Sequence, residues 1–313
     1  MGKSKFCAII LTGPTASGKS ALAIRLAKEI DGEIISADSR QIFRGLNIGS
    51  GKVAGVFDME KKVFLSEKIP HHLIDIADPM QDFNVSHFLK SATAAIEEIS
   101  GRGKIPIICG GSVFWINSLA EGVKLPQVPP NPKLRAELSS QTAADLFKTL
   151  QKLDLRRAAA IDNRNKVRLV RAIEIATALG EVPKPLKTNR STNATFLKLA
   201  LDIPKEQLQA KIRKRVSCWL KEGLIEETQS LLAKGVSAEW LKGIGLEYRQ
   251  TVFYLEGKLS LLELQEKIYY DNIHYAKRQL TWLRKEKELL WIKNYPEALS
   301  AATNFLAHNK KAP

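Results

Sequence analysis

Cysteine is scarce in this chain: only Cys7, Cys109 and Cys218 occur, with no C-x-x-C pair among them. That excludes a disulfide framework and a cysteine-based zinc knuckle, and a reducing, cytoplasmic setting is expected. Long apolar runs are missing too. None reaches the roughly 18 residues that a bilayer-crossing helix needs, so no membrane partner is expected. The opening MGKSKFCAIILTG reads as a short strand entering a loop rather than a secretion leader. Acidic residues are the third shortfall, 33 Asp and Glu against 48 Lys and Arg, which leaves a formal charge of +15. A field of that sign favours an anionic partner, and without a membrane span nucleic acid is preferred over an anionic surface.

What the chain does have is 313 residues, 44% of them hydrophobic, enough for two domains whose cores need no staples. Phe6 to Leu11 is a short apolar run ending in a Gly-rich turn, and Ser20 to Ile30 repeats Leu and Ile at helical spacing. Similar runs at Glu33 to Ala37, His72 to Ile76 and Ile105 to Cys109 are separated by segments long enough for crossover helices. The pattern predicts an α/β fold with a parallel sheet flanked by helices. Prolines cluster in LPQVPPNP, and a second cluster, VPKPLKTNRSTNAT, spans Val182 to Thr195. Between them AADLFKTLQKLD and NKVRLVRAIEIATALG carry helical periodicity, the latter ending at Gly180, a natural helix stop. The expected organisation is a core over 1–124, an inserted helical domain over 125–194, and completion of the core over 195–313. Phe196 to Ile203 reads as a returning strand. In the tail, Leu261, Leu264, Ile268, Tyr275, Leu280 and Leu283 predict one long amphipathic helix through LLELQEKIYYDNIHYAKRQLTWLRKEKE. The final NKKAP reads as a frayed end.

The most specific local signal is Gly13-Pro14-Thr15-Ala16-Ser17-Gly18-Lys19-Ser20, which satisfies G-x-x-x-x-G-K-[ST] between a predicted strand and a predicted helix. Glycines let the backbone curl so that N–H groups face phosphate oxygens, and the helix N-terminus adds partial positive charge. Lys19 supplies a point charge, and Ser20 can ligate magnesium. A polyphosphate site follows, but the loop alone does not name the donor, since ATP, GTP and isoprenoid diphosphates present similar oxygens. The next strand, EIISA, delivers Asp38-Ser39-Arg40-Gln41 to the carboxyl end of the sheet, where ligands of open α/β proteins gather. Asp38 can orient a nucleophile, accept its proton or hold a metal there; a turn cap is the structural alternative.

GPTASGKS, DSRQIFRGLNIGSGK, PHHLIDIADPMQDFNVSHF, ICGGSVFWINSLAEG, VRLVRAIEI, GIGLEYRQ and YAKRQLTWLRK, in this order and spacing, resemble the tRNA dimethylallyltransferase family over nearly the whole chain. The resemblance implies a P-loop fold whose loop grips dimethylallyl diphosphate, with magnesium, and an inserted helical domain that closes on the anticodon stem-loop. It implies transfer of the dimethylallyl group to N6 of the adenosine 3′ of the anticodon, by a monomer. Asp38 then matches the general base, Lys19 and Ser112 complete the catalytic set, and Gly13 to Ser20 with Arg249 match the diphosphate ligands. Contacts to tRNA are implied for Asp38, Ser39, Arg40, Gln41, Ser112, Arg135, Val167, Arg168, Leu169, Val170, Arg171, Lys277 and Arg278. The chain departs from the family pattern twice. Ser112 stands where a Thr is usual, keeping the hydroxyl and losing a torsional constraint. Asn272-Ile273 stands for a Thr-Arg pair, deleting one positive charge.

On the predicted C-terminal helix His274, Lys277, Arg278, Thr281, Arg284 and Lys285 share one side, a candidate phosphate-tracking stripe. Tyr269, Tyr270 and Trp282 are assigned to packing, and His71 and His72 to structure, since no third metal ligand accompanies them. Three rival readings remain. An adenylate isopentenyltransferase acting on free AMP needs no basic helical insert. A P-loop kinase should show a lid arginine set and a Walker-B acid, and only Asp38 and Asp75 are available. A nucleic-acid-binding P-loop protein without activity would not need Asp38, Lys19 and Ser112 together.

Overall fold

The structure, a computed structural model, describes residues 6–184, 186–187 and 194–310. Strand β1 (Phe6–Thr12) runs through a loop into helix α1 (Lys19–Glu29), and β2 (Gly32–Ser36) follows. Next come β3 (Val56–Asp58), β4 (Val63–Ser66), β5 (Ile69–His72), α2 (Val85–Gly101), β6 (Ile105–Cys109) and α3 (Val113–Ala120). A mainly helical segment then holds β7 (Val123–Lys124), α4 (Pro132–Ser139), α5 (Ala143–Leu153), α6 (Leu155–Ala160), α7 (Lys166–Leu179) and β8 (Leu186–Lys187). The chain continues as β9 (Ala194–Leu201), α8 (Lys205–Lys221), α9 (Leu224–Ala233), α10 (Ala238–Ile244), α11 (Leu246–Leu255), α12 (Leu261–Leu283), β10 (Leu289–Ile292) and α13 (Tyr295–Lys310). Two compact units result, Met1–Glu121 with Arg190–Pro313, and Gly122–Asn189.

The first unit is built on an eight-stranded sheet in the order β10-β9-β1-β6-β2-β5-β4-β3. Pairing is parallel from β10 to β5 and antiparallel only at the β5-β4-β3 edge. Neighbours in sequence diverge in space. Ile10, Ile35 and Ile108 face the layer that includes α2, α3 and α8, while Ile9, Ile34 and Ile107 face α1 and α13. Burial on both faces explains why these strands read as unbroken apolar runs rather than alternating ones. The α/β expectation holds, with two corrections. The strand expected over His72 to Ile76 ends at His72, because Leu73 and Asp75 turn the backbone to positive φ, 61° and 56°. The expected crossover helix between β2 and β5 is replaced by the β3-β4 hairpin.

The second unit has its own core of Leu138, Leu146, Leu150, Leu169 and Ile173. Helix α5 starts at its Thr142 cap and α7 at Asn165; Gly180, at φ 84°, stops α7 where a side chain would be strained. This unit begins before the proline cluster because Val123–Lys124 pairs with Leu186–Lys187. Much of the second Pro, Asn and Thr cluster, and Lys311 to Pro313 of the expected frayed end, lie outside the described residues.

Helix α12 carries the Ser260–Glu263 capping box at its start and ends at Leu283, short of the expected KEKE. Leu264, Ile268 and Leu283 are buried as expected, but Leu261 is exposed. Tyr270 and Trp282, assigned to packing from their spacing, are 54% and 49% exposed, because both lie beside the helix's buried face rather than on it. Tyr269 does pack, with the Arg213 guanidinium 3.7 Å from its ring centroid. No helix among the described residues is long and apolar enough to cross a membrane.

Candidate active site

β1 delivers the phosphate loop to the carboxyl end of the sheet. Ala16 and Gly18 take left-handed backbone conformations, φ 62° and 97°, which fold the loop back so that α1 begins directly at Lys19. The first N–H groups of α1 have no acceptor within the helix, as at any helix start, and are available to an anion. Thr15 N–H is an exception to the expected array of free loop amides, since it donates to Gln279 Oε1 at 2.7 Å. Gln279 also donates through Nε2 to Gly111 O at 2.9 Å, so this buried α12 side chain ties the phosphate loop to the loop before α3. A side chain at Gly111 would begin 2.5 Å from Gln279 Nε2 and break that tie.

A cleft of about 290 Å³ opens above the loop, lined by Lys19, Ser20, Asp38, Arg40, Gln41, Cys109, Lys211, Arg215 and Trp219 among others. Asp38 Oδ1 accepts from Arg40 N at 2.9 Å and from Arg40 Nε at 3.4 Å. Burial would lift the Asp38 carboxyl, but Arg40 and then Lys19 outweigh it and hold the group below the usual carboxylate range. Asp38 is therefore an anion at neutral pH. Lys19 is lowered from its ordinary value, chiefly by burial, with repulsion from Arg215 added. Burial likewise lifts the Cys109 thiol to about 11, which keeps it neutral in the cleft floor. Ser112 stands at the N-cap position of α3 without a side-chain bond to the helix, and its Oγ instead accepts from Ser39 N at 3.2 Å, fixing the hydroxyl beside the Asp38 strand end. Gln41 is locked by Ser36 Oγ at 2.9 Å and by the Gly51 carbonyl at 3.2 Å.

Arg215, on α8, was not anticipated from the sequence. Its Nη2 donates to Thr15 Oγ1 at 2.6 Å and to Asn272 Oδ1 at 3.0 Å, and its guanidinium lies 4.5 Å from the Trp219 ring centroid. Arg215 Nε and Ser17 Oγ are buried without a hydrogen-bond partner. Burial lowers this arginine to about 10, the nearby Arg40 charge contributing. Arg249, the arginine expected among the diphosphate ligands, does not line the cleft; its Nε donates to the Lys242 carbonyl at 2.8 Å. The signal in sequence was a lysine and arginine run, KIRKRV, whose buried side was indistinguishable from its exposed one. His72 pairs with Glu33 at 2.7 Å and Lys52 with Asp75, so His72 and Asp75 serve structure.

A family model described as IPP transferase matches residues 41–286. The chain belongs to that family. IPP transferases similar to it include the tRNA dimethylallyltransferase of Thermomicrobium roseum, 40% identical, with 90% of this chain and 85% of that one covered. The solved full-length tRNA isopentenylpyrophosphate transferase from Bacillus halodurans is 32% identical, with 97% of each chain covered and a TM-score of 0.68. A eukaryotic dimethylallyltransferase structure at 24% identity and TM-score 0.74 shares the fold, covering 97% of this chain and 80% of its own.

In the second unit of this IPP transferase, the residues expected to touch RNA divide. Val167 and Arg168 are exposed, Val170 is half-buried, and Leu169 is fully buried in the core. Leu169 is thus a packing residue whose truncation to Ala should cost about 2–5 kcal/mol. Arg135 reaches the buried Glu174 through Nε at 2.6 Å and Nη2 at 2.8 Å, and Arg171 reaches it at 3.1 Å. Burial would raise Glu174, but these arginines and the Asn131 N–H bring it down to about 2. In the first unit, His274, Lys277, Arg278, Thr281, Arg284 and Lys285 are all exposed, as the helical spacing implied.

Proposed function

We propose that this chain transfers the dimethylallyl group of dimethylallyl diphosphate to N6 of the adenosine 3′-adjacent to the tRNA anticodon, releasing diphosphate. The observation that carries the reading is that one cleft holds an ionised carboxylate, Asp38, together with half-buried cations, Lys19 and Arg215, at a phosphate loop. The adenine N6 lone pair attacks the allylic carbon while the bond from that carbon to the diphosphate oxygen breaks. The N6 proton passes to Asp38. Alkylation makes that proton acidic, so a carboxylate held at low pKa is basic enough to take it. Charge growing on the leaving diphosphate is met by Lys19, the unpaired Nε of Arg215, Ser17 Oγ and the first amides of α1.

The Ser20 hydroxyl offers a hard oxygen donor that suits magnesium. Among the described residues no group of three or more His, Cys, Asp or Glu side chains could hold a metal unaided, so the ion would be shared with diphosphate oxygens. Bound there, it would neutralise diphosphate charge. The tRNA reading is supported by the names of the relatives, by the +15 charge and by the exposed basic side of α12 with Arg168.

The test is mass spectrometry of nucleosides after incubation with dimethylallyl diphosphate, magnesium and either an anticodon stem-loop or AMP. Prenylated adenosine from the stem-loop is expected. Preference for AMP would replace this reading with adenylate prenylation, and no product from either would overturn the transferase.

A further inference from the structure

Glu247 lies in the first turn of α11 at 1% exposure, inside the first unit, and both of its carboxylate oxygens are engaged. Oε2 accepts from Arg40 Nη1 at 2.7 Å, and Oε1 accepts from Asn272 Nδ2 at 3.1 Å. Arg40 is the residue whose N and Nε hold Asp38. Asn272 is the residue whose Oδ1 holds Arg215. A continuous chain therefore runs from Asp38 through Arg40, Glu247 and Asn272 to Arg215, and ends on Thr15 of the phosphate loop.

We propose that Glu247 is a positioning residue that couples the proton-accepting end of the cleft to its diphosphate-binding end, with Asn272 as the link to Arg215. The proposal rests on the assignment of Asp38 and Arg215 to those two ends.

Three physical points carry it. The Asn272 amide has only one workable orientation, because Nδ2 donates to both Glu247 Oε1 and the Ile268 carbonyl, at 3.0 Å for the latter; Oδ1 must then face Arg215. The hydrogen bonds of Arg215 both run from Nη2, to Asn272 and to Thr15, which leaves its buried Nε without a partner in a cleft that ends on the phosphate loop. Finally, Arg40 and Arg215 are half-buried in this one cleft, and two such guanidinium groups repel unless a nearby anion offsets their charge. Glu247 is that anion, which frees Asp38 from carrying the whole compensation. Asn272, which stands where the resemblance implies a Thr, thereby has a role in the Glu247 link, while the missing positive charge belongs to the next position, Ile273.

The test uses the full chain with Glu247→Gln and Asn272→Ala. Glu247→Gln removes the charge at constant shape, and should lower kcat with the stem-loop and weaken inorganic diphosphate binding by calorimetry, each about tenfold or more. Asn272→Ala touches one arm only. It should weaken diphosphate and raise KM for dimethylallyl diphosphate by about tenfold, while kcat falls by less than about threefold. Asn272→Thr, which restores an acceptor for Arg215, should recover most of the diphosphate affinity. A merely structural role predicts lower melting temperatures with kcat, KM and diphosphate affinity unchanged per folded site, and that result would overturn the proposal. Should Glu247→Gln not fold, Asn272→Ala decides by the same split. Calorimetry with diphosphate does not require turnover, so failure of the transferase reading is seen separately, as absence of product from the unaltered protein.

Discussion

Arginines in the two units meet opposite fates. In the sheet-based unit Arg215 is half-buried, with its buried Nε unanswered beside a phosphate loop. In the helical unit Arg135 and Arg171 close on one buried carboxylate, Glu174, whose side chain is 0% exposed. A buried donor without an acceptor is costly and persists where a ligand supplies the acceptor; a cation answered by a buried acid holds the fold together. Basic residue type therefore says little about RNA or phosphate binding until its partner is known.

The sharpest way to break the comparison is to remove the cleft's anion. Asp38→Asn is expected to lower turnover on the order of a hundredfold or more while leaving diphosphate affinity intact, measured by single-turnover kinetics. Near-normal turnover would demote Asp38 to a turn cap. Next in size, Arg215→Ala should weaken dimethylallyl diphosphate binding by about 10- to 100-fold, whereas Arg249→Ala should leave it close to the unaltered protein. Equal losses would erase the distinction between a cleft arginine and a scaffold arginine.

Glu174 sharpens the other side. Its carboxyl is depressed from an ordinary 4.5 to about 2, so the stability it supplies is fully present above pH 4.5 and is lost as pH falls through about 2. Glu174→Gln should cost on the order of 3 kcal/mol at neutral pH, read from amide exchange in α7, and the difference from the unaltered protein should vanish near pH 2. A difference that persists unchanged into acid would show that the charge is not what matters. The smallest effect is at the exposed Arg168: Arg168→Ala should flatten the dependence of log affinity for the stem-loop on log salt by about 0.7–0.9. Arg171→Ala should flatten it less, because Glu174 already holds that charge.

Legibility followed sequence separation. The loop from Gly13 to Ser20 and its flanking β1 and α1 were readable because every determinant lies within one strand-turn-helix segment. Asp38 was readable as a site candidate because it follows a short apolar strand at the carboxyl end of the sheet, whereas Ser112 entered only through the family resemblance of its GGS segment. The β3-β4 hairpin was not, since its strands are only three and four residues long and give too little alternation to detect. The exposed positions of Tyr270 and Trp282 were missed because helical periodicity locates a buried stripe without fixing its width.

By itself the sequence determined the phosphate-loop motif, the α/β class and the positive charge, all products of local pattern and composition, while the base role of Asp38 came with the family resemblance. Only the tertiary structure decided which cations besides Lys19 line the cleft. Arg215 reaches Thr15 across 200 residues, Gln279 reaches it across 264, and Arg40 reaches Glu247 across 207. Such pairs form when separate helices pack on one end of the sheet and remove their charges from water together, and no local pattern of residues encodes which side chain will then find which partner.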